Sequence, residues 1–176
     1  MQQRSLSLWQ LAGLTFTAVL GTLLHFLYDW TGIISLTPIS AVNESTWEHM
    51  KILFFPMLFF AFIQSKFFAK EYKNFWQVKC VGITVGTALI PVLFYTYNGA
   101  FGVSPDWFNV LIFFLSAFFA YAIEYVLFRK QSLIGGSSLW AIIILLIYAS
   151  AFIVFTYFPP QIPLFQDPIS NLYGIR

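Results

Sequence analysis

The chain has 176 residues, of which 59% are hydrophobic, 21% aromatic and 9% charged, with a net charge of +2 and a mean hydropathy of +0.77. That composition lies outside the soluble globular range and describes one membrane domain with no room for a second, soluble one. It excludes a nucleic-acid partner, which needs a basic block interleaved with aromatics, and the single Cys80 excludes an intrachain disulfide and any paired-cysteine metal or redox motif.

Arg4 ahead of an apolar run imitates a signal peptide, but the run has the length of a full span, about 20 residues, and lacks a clear A-x-A site. It reads as a retained helix over Leu8–Trp30. Four more segments have spanning length: Ser45–Gln64, Phe75–Tyr97, Trp107–Phe128 and Leu139–Phe158. No period-2 alternation runs through them, which argues against a β-barrel. Trp9 and Trp30 flank the first segment, and Trp47, Trp76, Trp107 and Trp140 open the others. Indole rings prefer the headgroup level, and Trp9 to Trp30 spans ~31 Å at helical rise. The predicted fold is therefore all-α, a polytopic bundle of five transmembrane helices in residues 1–158 with a tail at 159–176. Arg4, Lys66, Lys70, Lys73, Arg129 and Lys130 fall on one side of such a bundle, against Lys51 and Arg176 on the other. The positive-inside rule makes the N-terminus cytoplasmic and the C-terminus extracytoplasmic, in a multi-pass protein of the plasma membrane whose first partner is the lipid bilayer.

Along the chain, His25 and Asp29 share one face of the first helix at i, i+4. The apolar loop Thr31–Val42, with Pro38, is expected to pack on the protein or dip into the interface. Pro56 and Pro91 are expected to kink the second and third helices. Gly82-x-x-x-Gly86 on the third allows a neighbour to approach closely. Lys79 and Glu124 lie at similar depth near the cytoplasmic ends of the third and fourth helices. They are expected to pair beside Tyr121 or Tyr125, as a structural lock or as part of a proton relay. The fifth helix stops at Pro159-Pro160. The tail beyond is too apolar for a solvated segment and too rich in Pro, Asn and Gly for a sixth span, so it is expected to fold across the external end as a lid.

The densest polar stretch is Asn43–Lys51, N-E-S-T-W-E-H-M-K. The apolar run behind it, from Ile52 to Gln64, gives roughly 20 Å of helix, and a bilayer core needs ~30 Å. The helix must therefore start near Ser45 and carry its charged first turns into the outer membrane. Counting inward from the helix ends puts His25 and His49 at nearly one level, and sequential antiparallel helices are usually neighbours. On a wheel, Glu44, Ser45, Glu48, His49 and Lys51 form one arc facing inward, with Thr46, Trp47 and Met50 left to lipid.

Three readings follow. His25, His49 and Asp29, with Glu44 or Glu48, form a nitrogen and oxygen set suited to zinc or another divalent metal ion, which at an open position activates water with Glu48 as base. The same groups can receive an organic ligand or a lipid headgroup. Alternatively Asn43, Ser45, Glu48 and Lys51 are structural: Ser45-x-x-Glu48 is a capping box and Glu48–Lys51 a buried pair. In that case the protein is an assembly subunit whose tail docks a membrane partner or a second copy.

Asn43–Met57, with His25–Trp30 (H-F-L-Y-D-W) and the tail's P-P-Q-I-P-L-F-Q-D-P and Y-G-I, resembles a family of small bacterial integral membrane proteins classed as a domain of unknown function. The resemblance covers nearly the whole chain and implies a bacterial plasma-membrane protein without implying an activity. Ser45-x-x-x-His49 is more faintly similar to the Ser-x-x-x-His of the membrane hydrolases that include alkaline ceramidases and adiponectin-type receptors. Those proteins carry further histidines in their last helix, where this chain has none.

Overall fold

A computed structural model describes residues 2–130 and 137–175. Five α-helices follow in order: α1 Gln2–Thr31, α2 Thr46–Phe68, α3 Phe75–Phe101, α4 Asp106–Arg129 and α5 Ser138–Tyr157. All five are long and apolar enough to cross a membrane, and no strand occurs among the described residues. The observed helices overlap the predicted spans and mostly overrun them. The excess lies at the ends, where Ser65–Phe68 of α2 and Asn98–Phe101 of α3 continue the helices beyond the predicted apolar stretch.

The helix limits have local causes. Ser45 is extended (φ −67°, ψ 153°) and its hydroxyl accepts the Glu48 backbone N–H at 3.4 Å, so α2 starts at Thr46. Ser137 does the same for α5 through Leu139 N–H at 3.2 Å. Gly32 (φ +63°) and Gly102 (φ +88°) follow the last residues of α1 and α3 in the left-handed region that glycine enters without strain. Pro56 and Pro91 lie inside continuous helices.

Helices α1, α2, α3 and α4 form a ring in which each packs on the next and α4 closes back on α1. The fifth helix sits outside, against α2 and α3. Helix α2 touches all four others, and 67% of its apolar window is buried against 22% for α1 and α5. The wheel assignment of its outer turns is therefore corrected. Thr46 is buried, and the Trp47 ring packs on Phe152 and Phe165 at 4.5 and 4.7 Å instead of facing lipid.

Two ends are defined by packing. At one, Leu6, Phe68, Tyr72, Phe75, Val78 and Phe128 cluster, which joins the start of α1, the α2–α3 turn and the end of α4. At the other lie the α1–α2 loop, the α3–α4 turn and the tail. The loop's second half packs inward, with Thr37, Ser40, Ala41 and Val42 buried and Ala41 N–H bonded to the Leu24 carbonyl, while Ile33 and Ile34 stay exposed. In the tail, Phe165 is buried against Trp47 and Phe155, and Asn43 Nδ2 donates to the Gly174 carbonyl at 2.9 Å.

Candidate functional site

Gly21 sets the geometry. A Cβ there would lie 3.0 Å from the Ile52 carbonyl of α2 and 2.5 Å from the Phe113 ring of α4, so only glycine lets α1 come this close. One turn further along α1 is His25, and one turn earlier on α2 is His49. The close approach thus brings the imidazoles together with their ring centroids 5.2 Å apart, near edge-on at 67°. Glu44, in the loop ahead of α2, points its Oε2 at both, 3.5 Å from His25 Nε2 and 3.6 Å from His49 Nε2. One donor atom from each residue lies within 4.8 Å of the others. The three side chains are half-buried, 21–35% exposed, so the cluster is both positioned and reachable.

The hydrogen bonding of His49 fixes its chemistry. Its Nδ1 is 2.9 Å from the Ser45 carbonyl, an acceptor only, so Nδ1 carries the hydrogen and Nε2 in the neutral ring keeps its lone pair. That lone pair faces a carboxylate oxygen. Two electron-rich atoms at this separation make a place that attracts a cation, whether a proton or a metal ion. A backbone carbonyl holding the far nitrogen is also the usual outer support of a metal-bound histidine. Zinc at about 2.0–2.2 Å from nitrogen and oxygen donors spaces them about 3.3–3.5 Å apart in a tetrahedron, close to the two Glu44–imidazole separations here. His25 Nδ1 is buried without a protein partner.

The remaining sequence-predicted residues divide. Asp29 is exposed near the end of α1 and lies outside the three-residue cluster. Glu48 turns the other way. Its carboxylate pairs with Lys51 and accepts Val42 N–H at 3.1 Å and the Thr156 hydroxyl at 3.3 Å. Glu48 therefore does not close the capping box on Ser45 N–H, which donates to Asn43 Oδ1 at 2.8 Å. The Lys51 ammonium directs its three N–H groups to Glu48, the Thr37 carbonyl at 2.9 Å and Thr156 Oγ1 at 2.8 Å. This hydrogen-bonded pair ties α2 to the loop and to α5. Thr156 and the Thr37 carbonyl carried no sequence signal, because their role exists only once the loop and α5 have folded against α2.

At the other end Lys79 and Glu124 pair at 2.6 Å, both fully buried. Tyr121 is the aromatic beside them, with Lys79 Nζ 5.3 Å from its ring, and its hydroxyl bonds Thr17 at 2.8 Å. Tyr125 instead reaches Ser7.

Beneath the histidine cluster lies a cavity of about 410 Å³, bounded by all four ring helices and by Pro168 and Ile169 of the tail. Its walls are mostly aromatic and aliphatic, and Asp106 and Asn109 of α4 also border it. No curated protein and no solved structure is significantly similar to the chain, so the fainter likeness to membrane hydrolases has no support there. The sequence does match one family model over residues 1–175, and the chain belongs to that family, DUF6512, a family of unknown function.

Proposed function

We propose that this protein binds a divalent metal ion, zinc by its donor set, through His25, Glu44 and His49 at the outer end of a plasma-membrane bundle with its N-terminus cytoplasmic. The observation that carries the reading is the His49 Nε2 lone pair, held by the Ser45 carbonyl to face the Glu44 carboxylate beside His25 Nε2. Three protein ligands leave a tetrahedral ion one open position, the arrangement of zinc sites that bind or activate a fourth group. Asp29 contributes only as a nearby negative charge. Glu48, committed to Lys51 and Thr156, is a structural residue and not the base of a hydrolytic reaction. The orientation is supported by the basic residues 66, 70, 73, 129 and 130, which gather at the end opposite the cluster.

Elemental analysis of the purified protein after zinc loading and gel filtration tests this. Wild type and Asp29→Asn are expected to retain about one zinc per chain. His25→Ala and His49→Ala should weaken binding by more than the ~10–100-fold that follows loss of an outer-shell partner. Equal zinc in wild type and His49→Ala, or none in wild type, would overturn the assignment and favour an assembly subunit in which the cluster only joins α1 to α2.

A further inference from the structure

We propose that the cavity under the metal cluster holds a single-chain amphiphile with an anionic oxygen head, carboxylate or phosphate, which takes the open coordination position of the ion. The proposal rests on the metal reading above and deepens it. The cavity's 410 Å³ lies within the ~300–1,000 Å³ of small-ligand sites, enough for a head and one medium chain. Phe26, Ile52, Ile90, Phe94, Phe113 and Phe114 give it a wall with nothing to hydrogen-bond a chain and much to pack on one, while the ion-binding groups His25, Glu44 and His49 line it nearer the helix ends than Ile52 and Ile90 do. That division of apolar wall and polar end matches an amphiphile and no purely polar solute.

Charge selects the head. Two neutral imidazoles, one carboxylate and a divalent ion sum to +1, and a half-buried site favours neutralising that charge. An anionic oxygen does so; an alcohol does not. Asp106 also borders the cavity, but it is exposed and sits in the first turn of α4, where water and the helix dipole offset its charge.

The tail supplies the closure. Asp167 is fully buried, and its carboxylate accepts Ile169 N–H at 2.8 Å and the Ser170 hydroxyl at 2.9 Å while its own N–H bonds the Leu172 carbonyl. This braced turn sets Pro168 and Ile169 at the cavity rim, where Ile169 remains 74% exposed. An isoleucine held out at a rim by a buried aspartate is placed to cover a chain lying below it.

The test uses full-length, zinc-loaded protein in lipid nanodiscs, with zinc measured on the same sample and binding of laurate, lauryl phosphate and lauryl alcohol read by native mass spectrometry. One or both anions should bind at least about tenfold tighter than the alcohol. A preference for laurate identifies a free fatty acid as the source, and a preference for lauryl phosphate identifies a phospholipid-type head. His49→Ala should abolish the discrimination. Ile169→Ser should weaken all three severalfold with zinc content unchanged. Equal binding of alcohol and anions by zinc-loaded protein, or an Ile169→Ser variant that binds like wild type, would overturn the amphiphile assignment alone. Wild type without zinc would overturn the metal reading, and this proposal with it.

Discussion

The protein buries two lysine–carboxylate pairs in an apolar bundle, and they differ in how completely they are satisfied. Lys51 has an acceptor for each of its N–H groups, and Glu48 Oε2 accepts from Lys51 and Val42. Glu48 Oε1 lies 3.3 Å from the Thr156 hydroxyl, whose one hydrogen it shares with the Phe152 carbonyl. At Lys79–Glu124 one carboxylate oxygen, Glu124 Oε1, is buried without a partner, and the ammonium is otherwise surrounded by the rings of Phe60, Phe75, Tyr121 and Phe128 at 5.3–6.0 Å. A pair of this kind contributes little net stability when intact but is costly to break, because one deletion leaves the other charge uncompensated in a medium of low dielectric. Lys79→Met and Glu124→Leu are each expected to lower stability by about 3–5 kcal/mol, while the double variant returns to within about 1–2 kcal/mol of wild type. Unfolding in detergent micelles reads the cycle. Losses that simply add in the double variant would mean that the two groups do not act as a pair.

At the level of elements, the close packing of α3 on α4 depends on missing side chains. A Cβ on Gly82 would fall 2.3 Å from Glu124 Cγ and 2.5 Å from its Oε1, and one on Gly86 would fall 2.9 Å from Ala120 Cβ. Gly82→Ala must therefore displace the Glu124 carboxylate from Lys79 or separate the helices. Gly99, near the end of α3, meets nothing within 4 Å, so alanine there gains only its helix propensity, up to about 1 kcal/mol. Gly82→Ala is expected to lower the melting temperature by several degrees and Gly99→Ala to leave it unchanged or raise it, as measured by thermal unfolding of the two variants side by side. Much of this layer was legible in the sequence, since hydropathy, tryptophan placement and the Gly82/Gly86 spacing mark the spans and one tight contact. The inward face of α2 was not. In a chain whose core and lipid surface are both apolar, a wheel groups Thr46, Trp47 and Met50 on one side without revealing that α5 and the tail cover Trp47 and that Thr46 borders the cavity.

For the whole molecule, the same limit separates what depth could locate from what only tertiary packing could. Counting residues from the helix ends puts His25 level with His49, because helical rise is fixed, but depth does not turn a side chain inward, and Asp29 stays exposed. The cavity walls from α3 and α4 and the Asp167 turn have no counterpart in local spacing, so they appear only in the assembled bundle. The assembly does place the charges unevenly. Lys66, Lys70, Lys73, Arg129 and Lys130 lie around the end where Tyr72 packs on Phe128 at 5.0 Å, and the lysine nearest the opposite end, Lys51, is buried in its pair. In the orientation proposed above, the negative cytoplasmic face of the membrane would hold the basic end inside. In a Cys80→Ala background, Val103→Cys on the exposed α3–α4 turn should react with a membrane-impermeant maleimide on intact cells, while Lys70→Cys should react only after lysis. The reverse pattern would place the histidine cluster on the cytoplasmic side, where it would draw on an intracellular metal pool, and would discard the outward-facing reading while leaving the geometry of His25, Glu44 and His49 untouched.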